Sequence, residues 1–232
     1  MVRKLFWEDA YVSSFQAMVD EISERNVYLD TTAFNPRGGG LVGDTGYIGN
    51  CRVVDTVKEG EERIAHVLES PPSFERGAVI SCSVDWERRY RIMKMHTTAH
   101  VLSAVIRNET GALITGNQIK PDESRIDFSL ERMDRELIER LVERVNAEIR
   151  KGAPVRSYFL PREEALKIDG IVKLAGASPP DVREFRIVEI VGLDIQADGG
   201  VHVKNLNEIG RVNVTRIENK GKSNRRIYFT VA

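Results

Sequence analysis

Residues 86–107 read WERRYRIMKMHTTAHVLSAVIR, and the period of their positions decides the architecture. Tyr90, Met93, Thr97 and Ala104 fall on one row of a 3.6-residue helix, with Ile92, His96, Ala99 and Ser103 on the row beside it. Upstream the period is two. Residues 13–85 form short alternating segments broken by turn residues, the pattern of an antiparallel sheet or small barrel. One hairpin is predicted to join SSFQAMVDEI (13–22) to NVYLDTT (26–32), and a second to join CRVVDTV (51–57) to RIAHVLE (63–69) around Gly60. Ala78, Ile80, Cys82 and Val84 alternate with polar neighbours and supply a closing strand. The change of period places a domain boundary between residues 85 and 86.

Downstream of the histidine-bearing helix the pattern is mixed. Leu137, Leu141 and Val145, flanked by Ile138, Val142 and Ile149, predict a one-sided helix from about Asp134 to Arg150, which Gly152 can end. A short helix is expected at Pro161–Lys167, with proline at its first position. Strands are expected at Arg125–Leu130, Phe185–Val191, Gly210–Glu218 and Arg226–Val231. The fold class is therefore α+β, with a domain of residues 1–85 that is mostly strand and a second of 86–232.

Of the 232 residues, 41% are hydrophobic and 30% charged, and 34 Lys and Arg balance 35 Asp and Glu. That is the composition of a soluble globular protein, and bulk charge does not mark a nucleic-acid binder. No run approaches the roughly 18 apolar residues of a membrane span, and MVRKLFWEDAYV lacks the features of a signal peptide. Cytoplasm is the default localisation, with no membrane partner. Cys51 and Cys82 are the only cysteines, so neither a disulfide scaffold nor a cysteine-rich zinc finger can be built.

Three segments could carry chemistry. His96 and His100 in MHTTAH stand four apart on one helix face, a spacing that suits a single metal ion but also suits ordinary packed histidines. The residue after His96 is Thr97, so the Glu that serves as base in zinc peptidases of the H-E-x-x-H kind is missing. In DIQADGGVH (194–202) a strand ends in a Gly199–Gly200 turn that lets Asp198 and His202 bend towards a common point. Of the four histidines, three lie in these two segments, which singles out His96, His100 and His202, with Asp198 or water as fourth ligand. His66, in the second hairpin, reads as structural. The third segment, PRGGGLVGDTG (36–46), has five glycines in eleven residues and can present bare N–H groups, but it is neither a P-loop nor a dinucleotide fingerprint. Its Asp44 and Thr45 can also cap the turn locally. Two basic clusters, Arg88, Arg89, Arg91 and Lys94, and Arg216, Lys220, Lys222, Arg225 and Arg226 with Glu218 opposing, fit phosphate contact or plain solvation.

PRGGGLVGDTG, DWERRYRIMKMHTTAHVLSAV and DIQADGGVHVKNLNEIG follow one another in the order seen in free-standing alanyl-tRNA editing proteins of the AlaX type, and the chain also resembles the editing domain of alanyl-tRNA synthetase. The resemblance runs from Leu5 to about Gly210 and favours the medium-sized form. It implies a translation-factor-like β-barrel followed by an α+β editing domain, and one zinc ion held by His96, His100 and His202. It also shows a departure: Asp198 stands where the family has Cys, which implies a weaker, more open metal site.

What the resemblance implies is hydrolysis of the ester joining serine, or glycine, to the acceptor end of alanine tRNA. Asp198 and Thr115 would be the catalytic residues, with Thr115 contacting the serine hydroxyl. Gly38, Gly39, Gly40, Asp44 and Gln196 would bind substrate. Leu41 stands where the family often has Gln. Zinc would activate a water, polarise the ester carbonyl or position the substrate, and the residues do not choose among these. A zinc hydrolase of a small ester or amide and a non-catalytic tRNA-binding module are the rival readings. Oligomeric state is not set by the sequence.

Overall fold

The computed structural model describes residues 2–60, 62–131, 134–171 and 181–232. The backbone divides into two compact units, Met1–Ile92 and Met93–Ala232. The division falls inside the histidine helix rather than before it, because the side chains of the first helical turns are built into the first unit.

The first unit contains β1 (Arg3–Lys4), α1 (Leu5–Glu8), β2 (Ser14–Ser23), β3 (Asn26–Leu29), β4 (Thr31–Thr32), β5 (Gly46–Ile48), β6 (Cys51–Glu59), β7 (Arg63–Leu68) and β8 (Val79–Val84). Both expected hairpins form, β2 with β3 and β6 with β7. β8 pairs antiparallel with β2 and with β5, so the strands close into a ring in the order β2-β3-β7-β6-β5-β8. Alternation turns Ala17, Val19, Val27, Leu29, Ile48, Val53, Leu68, Cys82 and Val84 inward around Phe34. His66 is fully buried among them. Its Nδ1–H donates to the Val27 carbonyl at 2.9 Å, which can only accept, so Nε2 takes the Thr32 hydroxyl hydrogen at 2.8 Å. Every polar atom of that ring is satisfied inside the unit.

Asp44, expected to bind substrate, is instead a core residue. Its carboxylate receives the Arg89 guanidinium through Nε and Nη2, and Oδ2 also accepts the Asn35 N–H at 2.6 Å. Arg89, fully buried, reaches on to the carbonyls of Ala33 and Ala10. Arg88 donates to the Gly43 carbonyl at 2.8 Å and Arg91 pairs with Glu87. Arg88, Arg89 and Arg91 are thus bound within the protein rather than gathered for phosphate.

Helix α2 (Trp86–Thr110) continues into the second unit, followed by β9 (Ile114–Gln118), β10 (Ser124–Phe128), α3 (Arg135–Arg150), β11 (Val155–Pro161), α4 (Arg162–Ala165), β12 (Glu184–Ile190), β13 (Asp194–Ala197), β14 (Val212–Asn219) and β15 (Arg225–Val231). These strands form two antiparallel sheets, β14-β15-β10-β9 and β11-β12-β13. The sequence periodicity picks out two neighbouring rows of α2, whereas residues 95–106 are buried all the way round. A helix enclosed on every side is a core element, and polar groups it carries are screened from water. α3 is one-sided as expected, burying Leu141, Val145 and Ile149, and the Asp134 carboxylate caps it by accepting the Leu137 N–H at 2.9 Å. α4 is shorter than predicted because Pro161 still belongs to β11. The C-terminal cations meet acids distant in sequence: Arg216 meets Glu123 as well as Glu218, and both arms of the Arg226 guanidinium meet Asp127 at 2.8 Å.

Candidate metal centre

The i, i+4 spacing on α2 carries His96 and His100 out on the same face, one turn apart. β13 supplies the other wall. Along it Asp194 and Gln196 alternate inward, buried, while Ile195 and Ala197 stand half-buried on the other face. The chain then turns at Asp198–Gly200 and returns with His202. The ring centroid of His202 lies 4.1 Å from that of His96 and 4.5 Å from that of His100. One ligand atom from each of His96, His100, Asp198 and His202 lies within 4.8 Å of the others.

Hydrogen-bond chemistry sets which nitrogen each ring offers. His96 Nδ1 donates to the Val201 carbonyl at 3.3 Å, which can only accept. The single Thr97 hydroxyl hydrogen goes to the Met93 carbonyl at 2.9 Å, so Thr97 Oγ1 must accept from His202 Nδ1 at 3.1 Å. Nε2 is therefore the bare nitrogen in both rings. Both face one carboxylate: His96 Nε2 lies 3.5 Å from Asp198 Oδ2 and His202 Nε2 lies 3.2 Å from Oδ1. His100 Nε2 lies 3.7 Å from Oδ2, and on its far side Nδ1 lies 2.8 Å from the Gln196 amide nitrogen and 3.3 Å from Asp194 Oδ2, which also accepts the Gln196 amide at 2.7 Å. Imidazoles oriented through Nδ1 by carboxylate, carbonyl and hydroxyl groups are the outer arrangement of a metal site.

The electrostatics describe the same cluster carrying its protons, which a metal ion would have to displace. Burial disfavours the His100 charge, but hydrogen bonds to Asp194 and Asp198 outweigh it and raise the group to about 9. Burial likewise opposes the Asp198 charge, yet His96, when protonated, and hydrogen bonds from whichever imidazoles carry a proton on Nε2 hold its carboxyl well below the usual range. Burial, with His96 and His100 alongside, pushes His202 well below its ordinary value. An ionised carboxylate among three imidazoles is a complete set of nitrogen and oxygen donors for a first-row divalent ion in tetrahedral coordination.

The structure thus brings together His96, His100, His202, Asp198 and Gln196. It does not bring Thr115 to them: Thr115 is exposed on β9 and donates to Asn224 Oδ1 at 2.9 Å. Gly38, Gly39 and Gly40 form an exposed reverse turn in the first unit, closed by Gly38–Leu41 backbone bonds of 3.2 and 2.9 Å. Positive φ at Gly39 (58°) and Gly40 (92°) makes glycine the fitting residue there. Leu41 is buried at its base. Thr97, Asp194 and the Val201 carbonyl were not anticipated from sequence. Asp194 had a signal, its two-residue spacing from Gln196 on a strand; Thr97 had none, since its role depends on a residue 105 positions away. A groove of about 890 Å³ between α3 and β14 contains none of the metal-capable residues.

Residues 185–228, which include β12, β13 and the Asp198–His202 loop, match the threonyl and alanyl tRNA synthetase second additional domain. That part of the second unit is thus similar to a synthetase accessory domain, and it includes Asp198 and His202 of the metal-capable cluster. The whole chain is 45% identical to the alanyl-tRNA editing protein AlaX-M of Saccharolobus solfataricus, an alignment covering 100% of this chain and 99% of that one. It is 40% identical to AlaX-M of Methanosarcina barkeri over the same shares. It is also 38% identical to alanine–tRNA ligase of Pyrobaculum neutrophilum, where the match covers 98% of this chain and 27% of the ligase. The chain belongs to the AlaX family of free-standing alanyl-tRNA editing proteins.

Proposed function

We propose that this protein hydrolyses mischarged alanine tRNA, releasing serine and, more slowly, glycine, at a zinc site formed by His96, His100, His202 and Asp198. The observation that carries the reading is the convergence of three Nε2 atoms on one carboxylate, two of them with Nδ1 tied to a group that accepts its proton. The relatives named for alanyl-tRNA editing supply the substrate class. The ring of the first unit corresponds, in this reading, to the translation-factor-like barrel of the medium-sized form. A synthetase pocket for alanine discriminates poorly against a neighbour that only adds a hydroxyl, so a second site that hydrolyses the wrong ester is required.

When bound, the ion supplies Lewis acidity beside the ester. The chain's own groups do the rest. Asp198 Oδ2 faces His96 and His100, while Oδ1, which accepts the Gly200 N–H at 2.6 Å, takes the proton released as water adds to the ester carbonyl and returns it to the departing ribose oxygen as the acyl C–O bond breaks. Gln196 Nε2 is engaged by Asp194 and by His100 Nδ1, and among the described residues its Oε1 has no hydrogen-bond partner. We assign the serine hydroxyl to this oxygen rather than to Thr115, whose hydrogen is committed to Asn224. Alanine makes no such bond, a difference of about 1–3 kcal/mol at a desolvated site. No helix among the described residues is long and apolar enough to cross a membrane.

The test is deacylation of Ser-, Gly- and Ala-charged alanine tRNA beside a free seryl ester. The reading predicts fast loss of serine, slower loss of glycine, survival of Ala-tRNA and an inert free ester. Equal cleavage of the free ester supports the small-ester hydrolase instead, and survival of all three charged tRNAs with binding retained supports a non-catalytic module.

A further inference from the structure

Arg186, on β12, is only 8% exposed, and among the described residues no carboxylate pairs with it. Burying a guanidinium that no carboxylate meets directly costs several kcal/mol, offset only in part by the Asp198 charge nearby, and an apolar side chain of similar length would serve folding better. What this side chain does instead is grip one turn. Nη1 donates to the Asp198 carbonyl at 3.0 Å and to the Gly200 carbonyl at 2.9 Å. The Arg186 backbone carbonyl meanwhile accepts the Asp198 N–H at 3.0 Å. Both main-chain groups of Asp198 are therefore held by the same residue. Within the turn, the Gly200 N–H donates to Asp198 Oδ1. Arg186 Nε is buried with no partner, a penalty accepted so that Nη1 can bridge the two carbonyls.

We infer that Arg186 is a positioning residue of the metal centre: it sets the Asp198–Gly200 turn, and with it the direction of the Asp198 carboxylate, before any ion binds. The inference rests on the metal reading above for the identity of what the turn presents. Charge alone does not explain the arrangement, because a guanidinium placed to neutralise Asp198 would meet its carboxylate, whereas Arg186 meets the carbonyls behind it. The bridge is geometric.

The experiment compares wild type, Arg186→Met and Arg186→Lys as full chains with two readouts. Amide hydrogen exchange at Asp198 and Gly200 is followed by NMR in metal-free protein, and cobalt(II) affinity is measured by competition with a chelator. Arg186→Met is expected to speed exchange at both amides by about tenfold, to leave Val53 of the ring unchanged, and to weaken cobalt binding about 10- to 100-fold. Arg186→Lys, still able to donate to a carbonyl, is expected to recover part of both losses, and it carries the test alone if the Met variant does not fold. Unchanged exchange and unchanged cobalt affinity in the variants would overturn the inference. If the wild type takes up no cobalt, the metal reading and the role of Arg186 towards it both fall, and altered exchange in the variants would then locate the fault in the metal and not in the clamp.

Discussion

Thr97 Oγ1 lies 3.1 Å from Nδ1 of His202, joining the centre of helix α2 to a loop 105 residues further along the chain. The same oxygen accepts the Val203 N–H at 3.2 Å, so one hydroxyl fixes both the ring and the backbone that follows it. The position next to the first histidine, where a zinc peptidase keeps its base, is here given to holding an imidazole of the cluster.

Replacing Thr97 with valine keeps shape and removes the acceptor. Metal affinity is expected to fall about 10- to 100-fold, as for other outer-shell changes. Folding stability falls by about 1–3 kcal/mol because a buried N–H is left unpaired. Metal retention against a chelator and a urea melt measure the two effects, and a variant matching wild type in both contradicts the assignment.

Asp44 and Arg89 form a pair in which the side chains are 2% and 0% exposed. Arg89→Met strands the carboxylate in the core and is expected to cost about 3–5 kcal/mol. Adding Asp44→Asn to Arg89→Met is expected to return most of that loss, since the stranded charge is gone. Urea midpoints decide it. A Met variant as stable as wild type would return Asp44 to consideration as a substrate contact.

His66 gives the first unit an acid limit. Burial lowers it from 6.5 to about 4, so between these values the unfolded chain binds a proton that the folded chain refuses. Its contribution is complete above pH 6.5 and is lost as pH falls towards 4, by about 3 kcal/mol in all. The stability difference between wild type and His66→Gln is therefore expected to shrink on acidification through that window. A difference independent of pH contradicts it.

The parts of the fold that were legible are those whose signals are local. The α2 period, the two ring hairpins and the capped α3 could be read because neighbouring residues decide them. β9 and β11 were not read. Ile114–Gln118 contains a central glycine and two amides, and it is a strand because β10 pairs with it. Val155–Pro161 has no clear contrast between its two faces and ends in proline. At the site, His96 and His100 declared themselves by spacing, and His202 and Asp198 by a glycine turn. Thr97, Asp194 and Arg186 act through contacts that exist only once α2, β12 and β13 are packed together. The C-terminal cations look opposed by Glu218 alone in the sequence because Glu123 and Asp127 lie far from them along the chain.

The most direct test of the central claim is deacylation of Ser-charged alanine tRNA by protein stripped with a chelator and then titrated with zinc. Activity is predicted to vanish on stripping and to return at about one equivalent of zinc per chain. It is predicted not to return in His96→Ala or His202→Ala. Full deacylation by the stripped protein, or by either variant without bound metal, would contradict a metal centre built from these imidazoles and Asp198.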